Sequence, residues 1–223
     1  MTIEERYSHV IDWFKANMPI AETELKHRDP YQLMVAVILS AQCTDKRVNM
    51  LTPAFYERYP TVDALAVARQ EDVFELIRSC SYPNNKARHL IDASKKIVED
   101  FGGQLPEEVE ALMTIPGLGR KSANVIASVA FDKQALAVDT HVFRVSARIG
   151  LTVGARNPLE TEQQLTKHIP AELHSIAHHW LILHGRYVCQ ARKPKCGECG
   201  LRDYCVYWEA VNPHQGAGSV TGS

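Results

Sequence analysis

The 223-residue chain has no apolar run long enough to cross a membrane. Its longest, Leu33 to Leu39, is bracketed by polar Gln32, Ser40 and Gln42, and falls far short of the ~20 residues a spanning helix needs. An excess of either charge is also missing. The 25 basic and 26 acidic residues leave a net charge of −1, which excludes a polybasic tail protein and by itself does not suggest nucleic acid. With 45% apolar and only 23% charged residues, the composition is not that of a disordered chain, and the length exceeds that of a peptide-sized, staple-dependent scaffold. The amino terminus, Met1-Thr2-Ile3-Glu4-Glu5-Arg6, has acids where a secretory leader is basic, so the sequence predicts a cytosolic protein. Strand-like alternation is scarce.

Helical spacing dominates instead. Ile3, Tyr7, Val10, Ile11 and Phe14 form one apolar stripe that Pro19 stops. Asp29-Pro30 places a capping acid before proline at the first helical position and opens a helix to about Ala41. Thr44-Asp45 caps another to about Tyr59. Thr61 or Asp63 starts a short one, and Glu71 to Cys80 supplies the next. Ser81 to Asn85 breaks the pattern, a helix follows from Asn85 to Phe101, and Gly102-Gly103 ends it. Pro106 is read as opening a helix over 107–114. Further helices are predicted over Lys121–Phe131, from the Asp139-Thr140 cap to Ile149, from Pro158, and over Ala171–Tyr187. The expectation is an all-α fold, with residues 212–223 as a disordered polar tail.

Three places carry chemistry. The first is Pro116-Gly117-Leu118-Gly119-Arg120, a short turn between two helices. Glycine permits positive φ and lets another molecule approach the main chain closely, and the following helix offers N–H groups and a positive dipole end to a phosphate. An ordinary helix–helix turn would look the same. Lys121 begins that second helix beside Arg120, where dipole and like charge are expected to lower its pKa and favour the free amine that imine chemistry requires. A plain phosphate contact is the simpler role for a lone lysine. The second place is Asp139, an evident N-cap whose carboxylate is also suited to stabilising positive charge on a sugar ring. The third is Cys189-x6-Cys196-x2-Cys199-x5-Cys205, four thiolates on a turn-rich loop, suited to tetrahedral zinc or an iron–sulfur cubane. Around it Arg186, Arg192, Lys193, Lys195 and Arg202 outnumber the single acid Glu198, a local basic patch suited to a nucleic-acid backbone. Cys43 and Cys80 read as core cysteines.

Taken together, Ile115-Pro-Gly-Leu-Gly-Arg-Lys-Ser-Ala-Asn124, Ala137-Val-Asp-Thr-His-Val-Phe-Arg144 and the cysteine spacing resemble the endonuclease III family over about residues 1 to 207. The resemblance implies a two-lobed helix-hairpin-helix DNA glycosylase with abasic-site lyase activity and a 4Fe-4S cluster. One lobe would be a six-helix domain over 22–133, the other residues 1–21 with 134–211 and the cluster loop. It implies Lys121 as nucleophile, Asp139 as essential carboxylate, and Cys189, Cys196, Cys199 and Cys205 as cluster ligands. Gln42 matches the family's glutamine that enters the space left by a flipped nucleotide. Where the family commonly presents a leucine wedge, this chain has Tyr82. Pro116, Gly117, Leu118, Gly119, Arg120, Arg144 and Lys193 complete the implied DNA contacts.

The partner implied is double-stranded DNA with damaged pyrimidines or abasic sites, met by a monomer away from any membrane. Competing readings are a monofunctional glycosylase of the adenine-mismatch group, which usually lacks lysine at the position of Lys121, and a noncatalytic DNA-binding module stapled by zinc. An electron carrier would explain the cysteines but neither the hairpin nor Asp139.

Overall fold

The computed structural model describes residues 1–212; the tail beyond them, read from sequence as disordered, lies outside the described residues. Twelve α-helices and three single 3₁₀ turns make up the regular structure, with no strand among the described residues. The chain divides into two compact units, Thr23–Ala137 and Met1–Glu22 together with the chain from Val138 onward.

The Thr23–Ala137 unit is built on α2 (Pro30–Ser40), against which α3 (Asp45–Arg58), α6 (Pro83–Phe101) and α8 (Arg120–Phe131) pack. Asp29 caps α2 by accepting from the Gln32 N–H at 2.8 Å, and Pro30 enters at the turn where no N–H is needed. Every residue from Leu33 to Leu39 is buried, so α2 is apolar all round because helices surround it. Each of these side chains larger than Ala36 contributes about 1.5–3 kcal/mol. Two shorter helices, α4 (Val62–Ala66) and α5 (Gln70–Ile77), cover α6, and the single turn α7 (Val109–Leu112) leads into α8.

Two expectations change here. Helix α6 begins at Pro83 rather than Asn85, since proline's fixed φ suits a first helical position; Tyr82 before it is left-handed at φ 53°. The helix expected from Pro106 shrinks to Val109–Leu112, because Glu107 and Glu108 stay outside it and pair with Lys133 at 3.0 and 2.8 Å. The unit holds seven helical segments, α2 to α8. It runs to Ala137: Ala135 and Ala137 join its core, and the Leu136 carbonyl accepts from Asn124 Nδ2 at 3.2 Å.

The other unit joins α1 (Ile3–Asn17) to α9 (Thr140–Ile149), α10 (Pro158–His168), α11 (His174–Tyr187) and α12 (Val206–Val211). Thr2 and Glu5 close a reciprocal cap on α1. Its buried face does the rest: Phe14 stacks on Trp180 with centroids 5.4 Å apart, and the Tyr7 hydroxyl donates to the Leu151 carbonyl at 2.7 Å. Arg6 Nε donates to the Tyr204 carbonyl at 3.0 Å. Helix α9 lies tightly on α11 at Gly185, where a Cβ would stand 3.0 Å from His141 Cβ. The long last helix starts at His174 rather than Ala171, because Pro170 is followed by a 3₁₀ turn over Ala171–Leu173.

Candidate nucleic-acid interface and metal centre

The turn before α8 is closed by Leu118 N–H donating to the Ile115 carbonyl at 3.1 Å. Gly117 sits at φ +83°, and a Cβ there would press on His89 Cβ at 3.0 Å, so both dihedral and space demand glycine. Gly119 is the N-cap of α8, no side chain caps it, and nothing lies within 4 Å of where its Cβ would be. The start of α8 thus presents backbone to the surface with the positive end of a helix behind it. Arg120 and Lys121, the first two residues of α8, are exposed. Leu118 is different: the residue is only 5% exposed and its side chain belongs to the core.

Among the non-glycine residues of the same unit with left-handed backbone are Gln42 and Tyr82, each at φ 53°. That conformation costs an ordinary residue roughly 1–2 kcal/mol. Both side chains are exposed. The strain is held by a polar brace beneath them. Ser81 Oγ donates to the Gln42 carbonyl at 2.5 Å, and Lys86 Nζ donates to the carbonyls of Leu39 and Ala41 at 2.8 and 2.7 Å. The Lys86 ammonium is buried at the end of α2, and that burial lowers its pKa below the usual lysine range. Nothing in the sequence pattern singles out Lys86, because it reads as one more polar position of an amphipathic helix.

Asp139 ends the link between units and caps α9. Its Oδ1 accepts from the N–H groups of His141 and Val142, both at 2.8 Å, while Oδ2 lies 3.3 Å from His141 Nδ1. The carboxylate is one-fifth exposed. One turn on, Arg144 spends its guanidinium internally, donating to the Gly185 carbonyl at 3.0 Å and to the Cys189 carbonyl at 3.2 Å. Its place is therefore beneath the cysteine loop. Arg148 does the same from the next turn: it donates to the carbonyls of Gln190 and Ala191 at 2.7 and 2.8 Å, and its Nη1 lies 3.6 Å from Cys189 Sγ. Sequence reading passed over Arg148, although arginines at i and i+4 after a capping aspartate were a visible signal for one face of a helix.

Cys189, Cys196, Cys199 and Cys205 line one cavity with His184, Val188, Leu201 and Trp208. Four thiols around one cavity are the donor set that tetrahedral zinc or an iron–sulfur cubane takes. Burial pushes the Cys199 thiol up to about 11 and raises those of Cys196 and Cys205. Without a cation such thiols keep their protons, so iron binding releases them. His184 is buried with Nδ1 unpartnered, and its Nε2 lies 3.6 Å from Cys199 Sγ. Gly200 is required here because a side chain would collide with the Trp13 indole. Lys193 is exposed on the same loop.

An all-α chain with a glycine hairpin opening an exposed helix in one unit, and four cysteines around a cavity in the other, defines a helix-hairpin-helix DNA repair glycosylase. Residues 35–171 match the HhH-GPD superfamily of base excision DNA repair proteins, and residues 189–205 match the iron–sulfur binding domain of endonuclease III. The chain is 46% identical to endonuclease III of Synechocystis sp., over 91% of this chain and 92% of that one. It is 41% identical to that of Escherichia coli K12, over 91% of this chain and 96% of the relative. A trapped endonuclease III–DNA covalent intermediate superposes with a TM-score of 0.90 at 40% identity, covering 95% of this chain and 99% of that one. The chain belongs to the endonuclease III family. It is a bifunctional DNA glycosylase and abasic-site lyase, and it carries a 4Fe-4S cluster.

Proposed function

We propose that Lys121 is the nucleophile of this glycosylase, Asp139 its essential carboxylate, and oxidised or ring-saturated pyrimidines in duplex DNA its substrates. The observation that carries the reading is Lys121 exposed in the first turn of a helix that no side chain caps, next to a glycine turn with open backbone. A phosphate held there brings the strand to the amine. The glycosidic carbon is out of reach in a stacked duplex, so the damaged nucleotide is first extruded. Gln42 fills the vacated space and Tyr82 wedges the strands, their exposed and strained backbone being the kind found at functional positions.

The Lys121 amine attacks C1′ as the base leaves, and the Asp139 carboxylate stabilises positive charge on the sugar. The lysine imine then acidifies the C2′ proton, and β-elimination breaks the strand on the 3′ side. Cys189, Cys196, Cys199 and Cys205 hold the cluster, which supplies cross-links that fix the basic loop bearing Lys193. Arg144 acts by positioning that loop. The protein works as a monomer in the cytoplasm; no helix among the described residues is long and apolar enough to cross a membrane.

Borohydride trapping on a duplex with one thymine glycol, beside an abasic duplex and the Lys121→Gln variant, tests the reading. A lysine-dependent covalent complex on both duplexes is expected. No complex on either, from folded brown protein, overturns Lys121 as the nucleophile.

A further inference from the structure

Two cysteines stand apart from the cluster. Cys43 follows Gln42 at the end of α2, its N–H donating to the Ser40 carbonyl at 3.0 Å, and Cys80 follows α5, its N–H donating to the Ile77 carbonyl at 2.8 Å. Their sulfurs are 3.5 Å apart across 37 residues of sequence. Cys80 is buried and Cys43 partly exposed, so a small oxidant reaches one sulfur while the other waits behind it. The Lys86 ammonium lies among the same elements, bonded to the carbonyls of Leu39 and Ala41, but burial outweighs its charge and pushes the Cys80 thiol up to about 11, so Cys80 stays protonated behind the more exposed Cys43. The pairing has no role in the glycosylase chemistry derived above.

We propose that Cys43 and Cys80 are a modification site, a dithiol that hydrogen peroxide closes to a disulfide, tying the end of α2 to the loop before α6. The Cys43 thiolate attacks the peroxide oxygen, forming S–O as O–O breaks and leaving a sulfenic acid and hydroxide, which takes up the thiol's proton as water. Cys80 sulfur then displaces the sulfenic oxygen as a second water. Two thiols and one peroxide become one disulfide and two waters; the sulfurs lose two electrons and the peroxide gains them. A disulfide holds its sulfurs about 2 Å apart. Closure therefore pulls together the backbone next to Gln42 and, two residues from Cys80, the backbone of Tyr82. The consequence for DNA rests on the reading of those two residues as inserting groups: locked together, they no longer adjust to a parted duplex.

The test uses the iron-loaded protein, treated with peroxide at a level that leaves the visible absorption of the cluster intact. Free thiols are alkylated and the digest is mapped without reductant. The expected result is a Cys43–Cys80 linked peptide pair, absent in Cys43→Ser and in Cys80→Ala, and a several-fold weaker affinity for an abasic duplex that thiol reductant restores. Cys43→Ser keeps full affinity after the same treatment. Separate alkylation of both cysteines overturns the proposal, and a linked pair with unchanged affinity overturns its consequence for DNA. Gln42→Ala and Tyr82→Ala, measured reduced, test the insertion reading separately: unchanged affinity in both removes that reading and leaves the peptide map to decide the disulfide.

Discussion

At Asp139 one carboxylate holds a helix start with Oδ1, through two N–H groups at 2.8 Å each, while the proposed chemistry needs its charge. The two roles separate experimentally. Asp139→Asn keeps an acceptor for the cap and is expected to leave the urea midpoint almost unchanged while lowering single-turnover base release by roughly 10²–10³-fold. Asp139→Ala loses both, with about 1 kcal/mol of stability as well. Lys86 supplies the second residue-scale prediction. Lys86→Met orphans two carbonyls at the end of α2 and is expected to cost about 2–3 kcal/mol in denaturant unfolding. Because the folded pKa of Lys86 is lowered, the unfolded chain binds more protons between that pKa and 10.5, so its contribution rises with pH across that window and is lost as pH falls through the folded pKa. Wild type should therefore gain on Lys86→Met as pH climbs toward 10.5. At this scale the sequence was a partial guide. Four clustered cysteines and a lysine after a glycine hairpin were visible because their chemistry is written in residue type. The inward turn of Leu118, and the tasks of Arg144 and Arg148 beneath the loop, depend on which way a side chain points once helices pack.

Among the elements, the hairpin and α8 carry the most weight. Gly117→Ala forces a side chain into φ +83° and against His89, so it is expected to cost about 1–2 kcal/mol or more. It should also lower affinity for all duplexes alike and flatten the salt dependence by about one phosphate, read as the slope of log affinity against log salt. An unchanged slope would remove the phosphate from this turn. Helices were the most legible part of the sequence. Asp29, Thr44, Thr61 and Asp139 all cap as side-chain chemistry dictates. Errors fell where proline or glutamate admits two readings: Pro83 inside a helix rather than before it, Pro106 before one rather than inside it. Helix α12 escaped notice because its six residues show too little periodicity.

For the whole molecule, iron and the loop that holds it give the remaining prediction. Arg148 fastens that loop through the Gln190 and Ala191 carbonyls, so Arg148→Ala is expected to purify with less iron per chain and to bleach faster under chelator, read by visible absorption. Full iron content in that variant would show that the four cysteines suffice alone. The fold class followed from helical spacing, but the division into units did not. Residues 134–137 have no periodicity to report that Ala135 and Ala137 close a core begun a hundred residues earlier.

The unit that bears the cysteines is assembled from the two ends of the chain, with Arg6 bonded to Tyr204 across 198 residues. On a ribosome adding ~5–20 residues per second, α1 leaves the tunnel and waits roughly 10–40 s for the helices it packs against. The Thr23–Ala137 segment is complete well before then. The order of birth thus makes α1 an amphipathic helix exposed early and sheltered later, and it puts iron loading after the Thr23–Ala137 segment has emerged. A chain lacking its first helix should lose Phe14 from the Trp180 stack and Trp13 from under Gly200, so the defect would surface at the far end of the sequence, as a colourless protein.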